Sequence, residues 1–471
     1  MSLRVDVKIN FLNEYYQNRA SDQNASYLLN MYLEEDKANG KYQVVAYPRA
    51  GTAAFNADSG SVVRGSIEHA GVYYAVVDNT FNSYNSGGTK TLVGTLNTST
   101  GIVRFAAISN QIILIDGTNG YHYNTSTLAF TTISDADFPT APHGITAQNS
   151  TFLVSQQNTA TIYGSDVSDG TSWATLSFLA KDGFGDRVNG LISNKSLIYV
   201  FGEYDSDIWY NSGDATFSFA PIGAGGVFNY GCAAINSIAK GQDKVVFLAQ
   251  SRRGGYEVCV LQQYTPQVIS NRAINYQMSL LTTPSDAIGF CYNKSGHEFY
   301  VLTFPTDAKT FVCDLTTGLW SEYTSYISAA YTRFIANCHS FCYGKNIIGA
   351  YNAGALYSLS DTSYQDNGQQ IKRQVITPPG YSDGDKTICD ELQIDLQTNV
   401  GSSLTSTLEV SKDSGQTYAT SYTLTTPSTG GRNSLRRLGL TQTAFVFRLS
   451  TTMNANFIVL GATADIRKSN N

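Results

Sequence analysis

Few residues in this chain stand at spacings that support catalysis. Five histidines occur, His69, His122, His143, His297 and His339. None has a partner at HxH, HxxxH or HExxH spacing, the patterns that turn two imidazoles toward one metal. Seven cysteines all fall between Cys232 and Cys389. Their odd number and the lack of a CxxC pair argue for reduced thiols and against a disulfide framework. Cys338, His339 and Cys342 have a metal-like look, but Phe341 and Tyr343 are interleaved with them and no second Cys/His pair follows, so packing is the expectation there. No GxSxG elbow and no GxxxxGK[ST] phosphate cradle is present. Gly223-Ala224-Gly225-Gly226 precedes no helical pattern and reads as a flexible loop. The expectation is a protein without catalytic residues, metal or cofactor.

Two constellations remain. Ser411-x-Asp413-x-Gly415-x-Thr417-Tyr418 resembles the Asp-box of sialidases, with Tyr418 in place of Trp. In such a turn the Asp and Ser/Thr side chains bond the turn backbone and the aromatic packs inward, so it stabilises a hairpin and performs no chemistry. A sialidase would carry several copies and an arginine cluster for the sugar carboxylate; one copy and no such cluster are present. Arg432, Arg436 and Arg437 form the densest basic patch. It reads either as a solvated strand edge or as a contact for a partner's carboxylates.

The elements that position these residues are strands. Apolar runs start at Val72, Ile112, Phe152, Leu197, Val245, Phe299 and Ile347, roughly 40 to 55 residues apart, the period of propeller blades. After each run come a turn and an aromatic-marked strand, such as Gly120-Tyr121-His122-Tyr123 or Asp207-Ile208-Trp209-Tyr210, and often a third element such as Thr171-Ser172-Trp173 or Leu319-Trp320-Ser321. The period-two alternation fits strands. One such sheet cannot bury both faces alone, whereas sheets stacked radially cover one another. The fold expected is all-β: a propeller of about seven blades, six if an end unit is incomplete, over residues 61–362. Residues 1–60 form an N-terminal extension that enters the first blade, with weak periodicity that admits a short helix and with 13–33 expected to order on docking. Residues 363–384 read as a linker, and 385–471 as a C-terminal β-sandwich.

Composition narrows the function. Charged residues are 14% of the 471, well below the usual quarter. The formal net charge is -6 with no long basic run, which argues against tight sequence-independent DNA binding. The N-terminus lacks an apolar core of signal-peptide length, and no stretch approaches the ~18 apolar residues of a membrane span, so a soluble protein is expected. A polar, uncharged surface suits a particle component packed against its own copies, and equally a sugar-binding protein. In the second reading, a carbohydrate- or receptor-binding propeller, Trp173, Trp209 and Trp320 would stack on sugars. A third, a glycoside-cleaving propeller, lacks a carboxylate pair that spacing can identify.

The chain ends carry a family resemblance. Glu409–Tyr418 is similar to the "SDDGGxTW" segment of the phage packaged-DNA stabilisation family, and Leu435-Arg436-Arg437-Leu438-Gly439 resembles its "WRRLG". Residues 445–449 and 457–462 look like its closing strands. Tyr27–Glu34 resembles its "VNLYPE", and Tyr47-Pro48-Arg49-Ala50-Gly51 lies where it has an aromatic followed by "PG". The resemblance implies a virion protein, the tail hub or nozzle of a short-tailed phage. It would form a ring, usually of six copies, below the portal–adaptor complex, and meet tail fibre, spike or needle proteins. Genomic DNA would pass the lumen without sequence-specific binding, and no membrane is involved. Assembly would take place in the host cytoplasm. Within this reading Tyr27, Asn30, Tyr32, Arg432, Arg436 and Arg437 are the interface candidates.

Overall fold

A computed structural model describes residues 5–9, 11–17, 26–35, 44–181, 186–380, 386–397, 403–428 and 432–468. Seven four-stranded antiparallel sheets follow one another along the chain. Blade 1 comprises Val63–His69, Val72–Val77, Thr80–Tyr84 and Lys90–Thr95. Blade 2 runs from Arg104–Ile108 to Ala129–Thr132, blade 3 from Pro142–Gln148 to Phe178–Ala180, and blade 4 from Val188–Asn194 to Phe219–Pro221. Blade 5 has a broken inner strand (Gly231–Cys232 and Ala239–Lys240) and ends at Thr265–Val268. Blade 6 spans Ile288–Lys294 to Trp320–Glu322. Blade 7 takes Ala336–Cys342, Lys345–Ala350 and Leu356–Ser360, and its fourth strand is Gly51–Asn56, which pairs with Leu356–Ser360 from about 300 residues away. The inner strand of each blade neighbours that of the next, and that of blade 7 lies beside that of blade 1, so the ring is closed.

The apolar runs are the second strands, and period two explains why they are apolar throughout. In blade 2, Ile112 and Leu114 pack with Tyr74 and Val76 of blade 1, while Ile113 and Ile115 pack with Phe152 and Val154 of blade 3. The pattern recurs around the ring: Val200 with Leu153, Phe247 with Phe201, Leu302 with Leu248, Ile348 with Val301, and Ile347 with Tyr73. Each blade interface therefore has its own apolar core, and each second strand serves two of them. A fully buried Ile or Leu contributes about 1.5–3 kcal/mol.

The sequence pattern shows three strands per unit; the structure has four. The overlooked strand is the inner one. It lacks the unbroken apolar run of the second strand because it faces the axis, and glycine recurs where a neighbouring blade approaches. A Cβ on Gly65 would lie 2.2 Å from the Val103 carbonyl, and one on Gly289 2.6 Å from that of Ser237. Thr171-Ser172-Trp173 lies in the connection ahead of the outer strand of blade 3, which is Phe178–Ala180. The glycine cluster at 223–226 forms a single 3-10 turn, Ala224–Gly226, against blade 4.

Two further sheets enclose an eighth core. One orders Met31–Glu35, Val44–Pro48, Val459–Lys468, Thr387–Leu396 and Asn433–Thr441, with Val5–Ile9 also on Val459–Lys468. The other continues blade 6: Trp320–Glu322 adjoins Tyr27–Leu29, then Arg373–Ile376, Val446–Thr451, Leu404–Ser411 and Thr420–Thr426. The sandwich thus draws strands from the N-terminal segment and from residues read as linker. Tyr27–Glu35 is extended and not helical, because its backbone partners lie outside the segment: Glu322 and Val375, about 300 residues away, and Tyr47. Residues 18–25 of the segment expected to order on docking lie outside the described residues. Among the described residues no helix is long and apolar enough to cross a membrane.

Candidate functional site

Two places concentrate polar side chains in the interior: the seam between propeller and sandwich, and the propeller axis. At the seam the chain leaves the blade 6 sheet at Asn30 and enters the other sandwich sheet. Asn30 is fully buried and left-handed (φ 53), a conformation that Asn tolerates better than most residues. Its backbone N–H donates to the Glu322 carbonyl at 2.8 Å. Its Nδ2 donates to Thr324 Oγ1 (2.9 Å) and to the Lys372 carbonyl (2.8 Å), and its Oδ1 accepts from Arg49 Nε (2.8 Å) and Thr324 N (2.9 Å). Every donor and lone pair of the amide is used.

Arg49 completes the seam. It is 2% exposed, lies 4.9 Å over Phe334, and holds Asp366 through both Nη1 (3.0 Å) and Nη2 (2.5 Å). Ser325 Oγ donates to the same carboxylate at 3.0 Å. A bidentate pair with every oxygen satisfied offsets the cost of burying both charges. Four remote segments, near residues 30, 49, 324 and 366, meet at this one node.

The interface candidates divide accordingly. Asn30 is buried within the chain. Tyr32 is buried too, stacked on Tyr47 at 5.8 Å and edge-on to Phe299 at 5.2 Å. Tyr27 is half-buried against Tyr15 (5.4 Å). Arg432, Arg436 and Arg437 are each exposed, on or beside Asn433–Thr441, the edge strand of its sheet. Arg432 Nε pairs with Asp395 at 2.7 Å, and Arg436 Nε is 3.6 Å from Glu391 with three-quarters of its side chain exposed. Arg437 sits at φ 60 beside a register shift in that strand.

At the axis, sequence reasoning missed a repeated device. The inner strands of blades 1, 3, 4 and 7 each carry a bulge at their second residue, Arg64, His143, Asn189 and Asn337. A bulge re-aims its side chain, and three of these four visibly tie blades or their connections together. Asn337 donates to the Val63 carbonyl of blade 1 (2.8 Å) and Asn189 to the Cys232 carbonyl of blade 5 (2.6 Å). Arg64 caps the connection to blade 2 through the Gly101 and Thr98 carbonyls (both 2.7 Å). Arg104, at the start of the blade 2 inner strand, donates to the His143 carbonyl of blade 3 (2.8 Å) and reaches across to Asn236 Oδ1 of blade 5 (2.7 Å from Nη2). The signal available in the sequence was the recurring triplet Val-Arg-Gly, Pro-His-Gly, Val-Asn-Gly and Ala-Asn-Cys. Burial and the Arg104 charge bring His143 down to about 4, and burial does the same for His339.

The remaining candidates are structural. His339 stacks on Phe290 (5.3 Å) and pairs with Asn346 (3.0 Å); Cys338 is a thiol that burial raises to about 11. Trp173, Trp209 and Trp320 are at most 3% exposed and line blade cores, so they are unavailable for stacking on sugars, contrary to the second reading. The Asp-box turn forms as expected. Asp413 accepts from Ser411 Oγ (2.6 Å) and Thr417 N (2.8 Å), which holds its carboxyl at about 2, and Tyr418 lies 3.9 Å beneath the Arg448 guanidinium.

The family model described as Phage_stabilise, bacteriophage P22 Gp10, β-propeller, matches residues 7–364, and the chain belongs to that family. No curated protein matches. Solved structures that resemble it include the Pan2 WD40 domain of Neurospora crassa (10% identity, 66% of this chain and 95% of that one, TM-score 0.43). The computationally designed Ika8 protein (12% identity, 65% and 99%, TM-score 0.40) and the N-terminal domain of Nup159 (9% identity, 71% and 99%, TM-score 0.40) are similar to the same extent.

Proposed function

We propose, with that membership as the premise, that this chain is the tail hub or nozzle protein of a short-tailed phage. Copies form a ring, six in our reading, that continues the DNA conduit below the portal–adaptor complex, helps to retain the packaged genome, and opens to let it leave. The observation that carries this is the family match, which spans the N-terminal strands and all seven blades. The propeller is then a building block and not the conduit, because Arg104 and Asn236 join across its axis and a duplex cannot thread an opening that one guanidinium spans. The conduit lies between copies. Its wall should not grip phosphate, since each neutralised phosphate releases counterions and strengthens binding. A chain with 14% charged residues and net charge -6 suits that requirement. Retention is then mechanical, by a constriction or plug, and the protein has no catalytic role.

The exposed arginines Arg432, Arg436 and Arg437 are the contacts we assign to a neighbouring copy or to the adaptor, with tail fibre, spike or needle proteins on the far side. Replacing all three by Glu leaves a folded monomer and abolishes ring formation and attachment to portal–adaptor particles, read by sedimentation and negative-stain microscopy. Normal rings from that variant would remove the assignment.

A further inference from the structure

The propeller axis holds an unusual cation, whether or not the chain is a hub. Buried cations in proteins are paired with an anion or else bear a large desolvation cost. Arg49, fully buried, follows that rule through Asp366, and Arg64 and Arg373, held by backbone carbonyls, still have acids in their field. Arg104, half-buried on the axis, has no such acid. Its partners, Asn236 Oδ1 (3.0 Å from Nε, 2.7 Å from Nη2) and the His143 carbonyl (2.8 Å from Nη1), are neutral. No carboxylate of the described residues pairs with it, and burial lowers it to about 10 with no acid opposing the shift.

The surroundings are those of a binding chamber. Arg104 lines a cavity of about 260 Å³ on the axis together with Arg64, Ser66, Asn236, Asn337 and His339. On the other side of its contact with His143 a second cavity, of about 350 Å³, opens among Gln157, Asn158, Asn189 and Gln250. A guanidinium has five N–H donors, and the bonds to Asn236 and His143 use three. The Asn236 amide, whose Oδ1 accepts from the guanidinium, also lines the cavity and carries two further N–H donors. Oxyanions are recognised by such convergent donors around an arginine.

We propose that the axial chamber is a binding site for a small oxyanion of the phosphate or sulfate class, with Arg104 as the charged ligand and Asn236 Nδ2 as its neutral companion. The anion completes the cross-axis bridge between blades 2 and 5. The test is thermal unfolding of the full chain in rising inorganic phosphate, and separately sulfate, against chloride at matched ionic strength. The midpoint should climb by about 2–4 °C at a hundredfold excess over Kd. Asn236→Asp places a carboxylate where the guanidinium already points. It should keep or raise the basal midpoint and lose the response to both anions. Arg104→Gln should lose the response as well. In crystals soaked with selenate, an anomalous peak should lie within hydrogen-bond distance of Arg104. An unresponsive wild type, a response that survives in Asn236→Asp, or a selenate peak only elsewhere would each overturn the proposal.

Discussion

Blades 1 to 5 and blades 6 and 7 differ at the outer edge of their fourth strand. Among the described residues, that strand is a short free edge in blades 1 to 5: six residues in blade 1, led by Lys90, and four or three in the others, with Pro221 in blade 4 and Pro266 in blade 5. Lysine, proline and brevity are the devices by which free edges avoid pairing with other chains. In blades 6 and 7 the fourth strand is covered, by Tyr27–Leu29 and by Gln365–Asp366. One part of the ring is a finished surface; the other is built into a sandwich by chain segments hundreds of residues apart. Local contacts make the blades, while closure and the sandwich depend on the seam at Asn30, Arg49 and Asp366.

The seam is where that contrast can be undone. Asp366→Ala strands the buried Arg49 guanidinium and should cost about 3–5 kcal/mol, read as a drop in the denaturation midpoint. The transition should split, with sandwich and blade 7 lost before blades 1 to 5. A smaller effect is expected from Asn337→Ala, which leaves the Val63 carbonyl of blade 1 without its partner. The expected loss is about 1–3 kcal/mol, with faster amide exchange in blade 1. Ile113→Val thins one core between blades 2 and 3 and should cost only about 0.5–1.5 kcal/mol in a single transition.

Acid separates propeller from sandwich in another way. His143 and His339, near the axis, titrate at about 4 in the folded protein against 6.5 for a free side chain. Between those values the unfolded chain binds protons that the folded one refuses, so stability is full above about pH 6.5 and falls as pH drops toward 4. Asp413 in the sandwich, held at about 2, contributes nothing to that window and loses its share only below about pH 4. His339→Gln should make the upper part of the pH–stability curve shallower, with His143 still contributing, and leave the lower part in place, measured by urea titration.

The blades were legible because their second strands are buried on both faces, which writes an unbroken apolar run such as Ile112–Ile115 into the sequence. Inner strands were not, since they lack such a run, and facing the axis admits glycine, asparagine and arginine, as in Val63–His69 and Val188–Asn194. Gly51–Asn56 and Tyr27–Leu29 were illegible for another reason: each takes its identity from a partner some 300 residues away, and no local pattern records it. The polar node at Asn30 lay inside a segment singled out for its resemblance to the family, yet its role, joining sandwich to propeller within one chain, needed coordinates. The three arginines near the C-terminal end were singled out from charge density alone; they are exposed, on or beside an edge strand, and their role as a contact is a proposal.

Whether the conduit runs between copies while each propeller axis stays shut is decided by electron cryomicroscopy of the purified protein bound to its portal–adaptor complex. The expected result is a symmetric ring with a duplex-wide opening bounded by several copies, and Arg104–Asn236 density across each propeller axis. A solitary chain that fails to bind the complex, or nucleic-acid density threading a propeller, would contradict it.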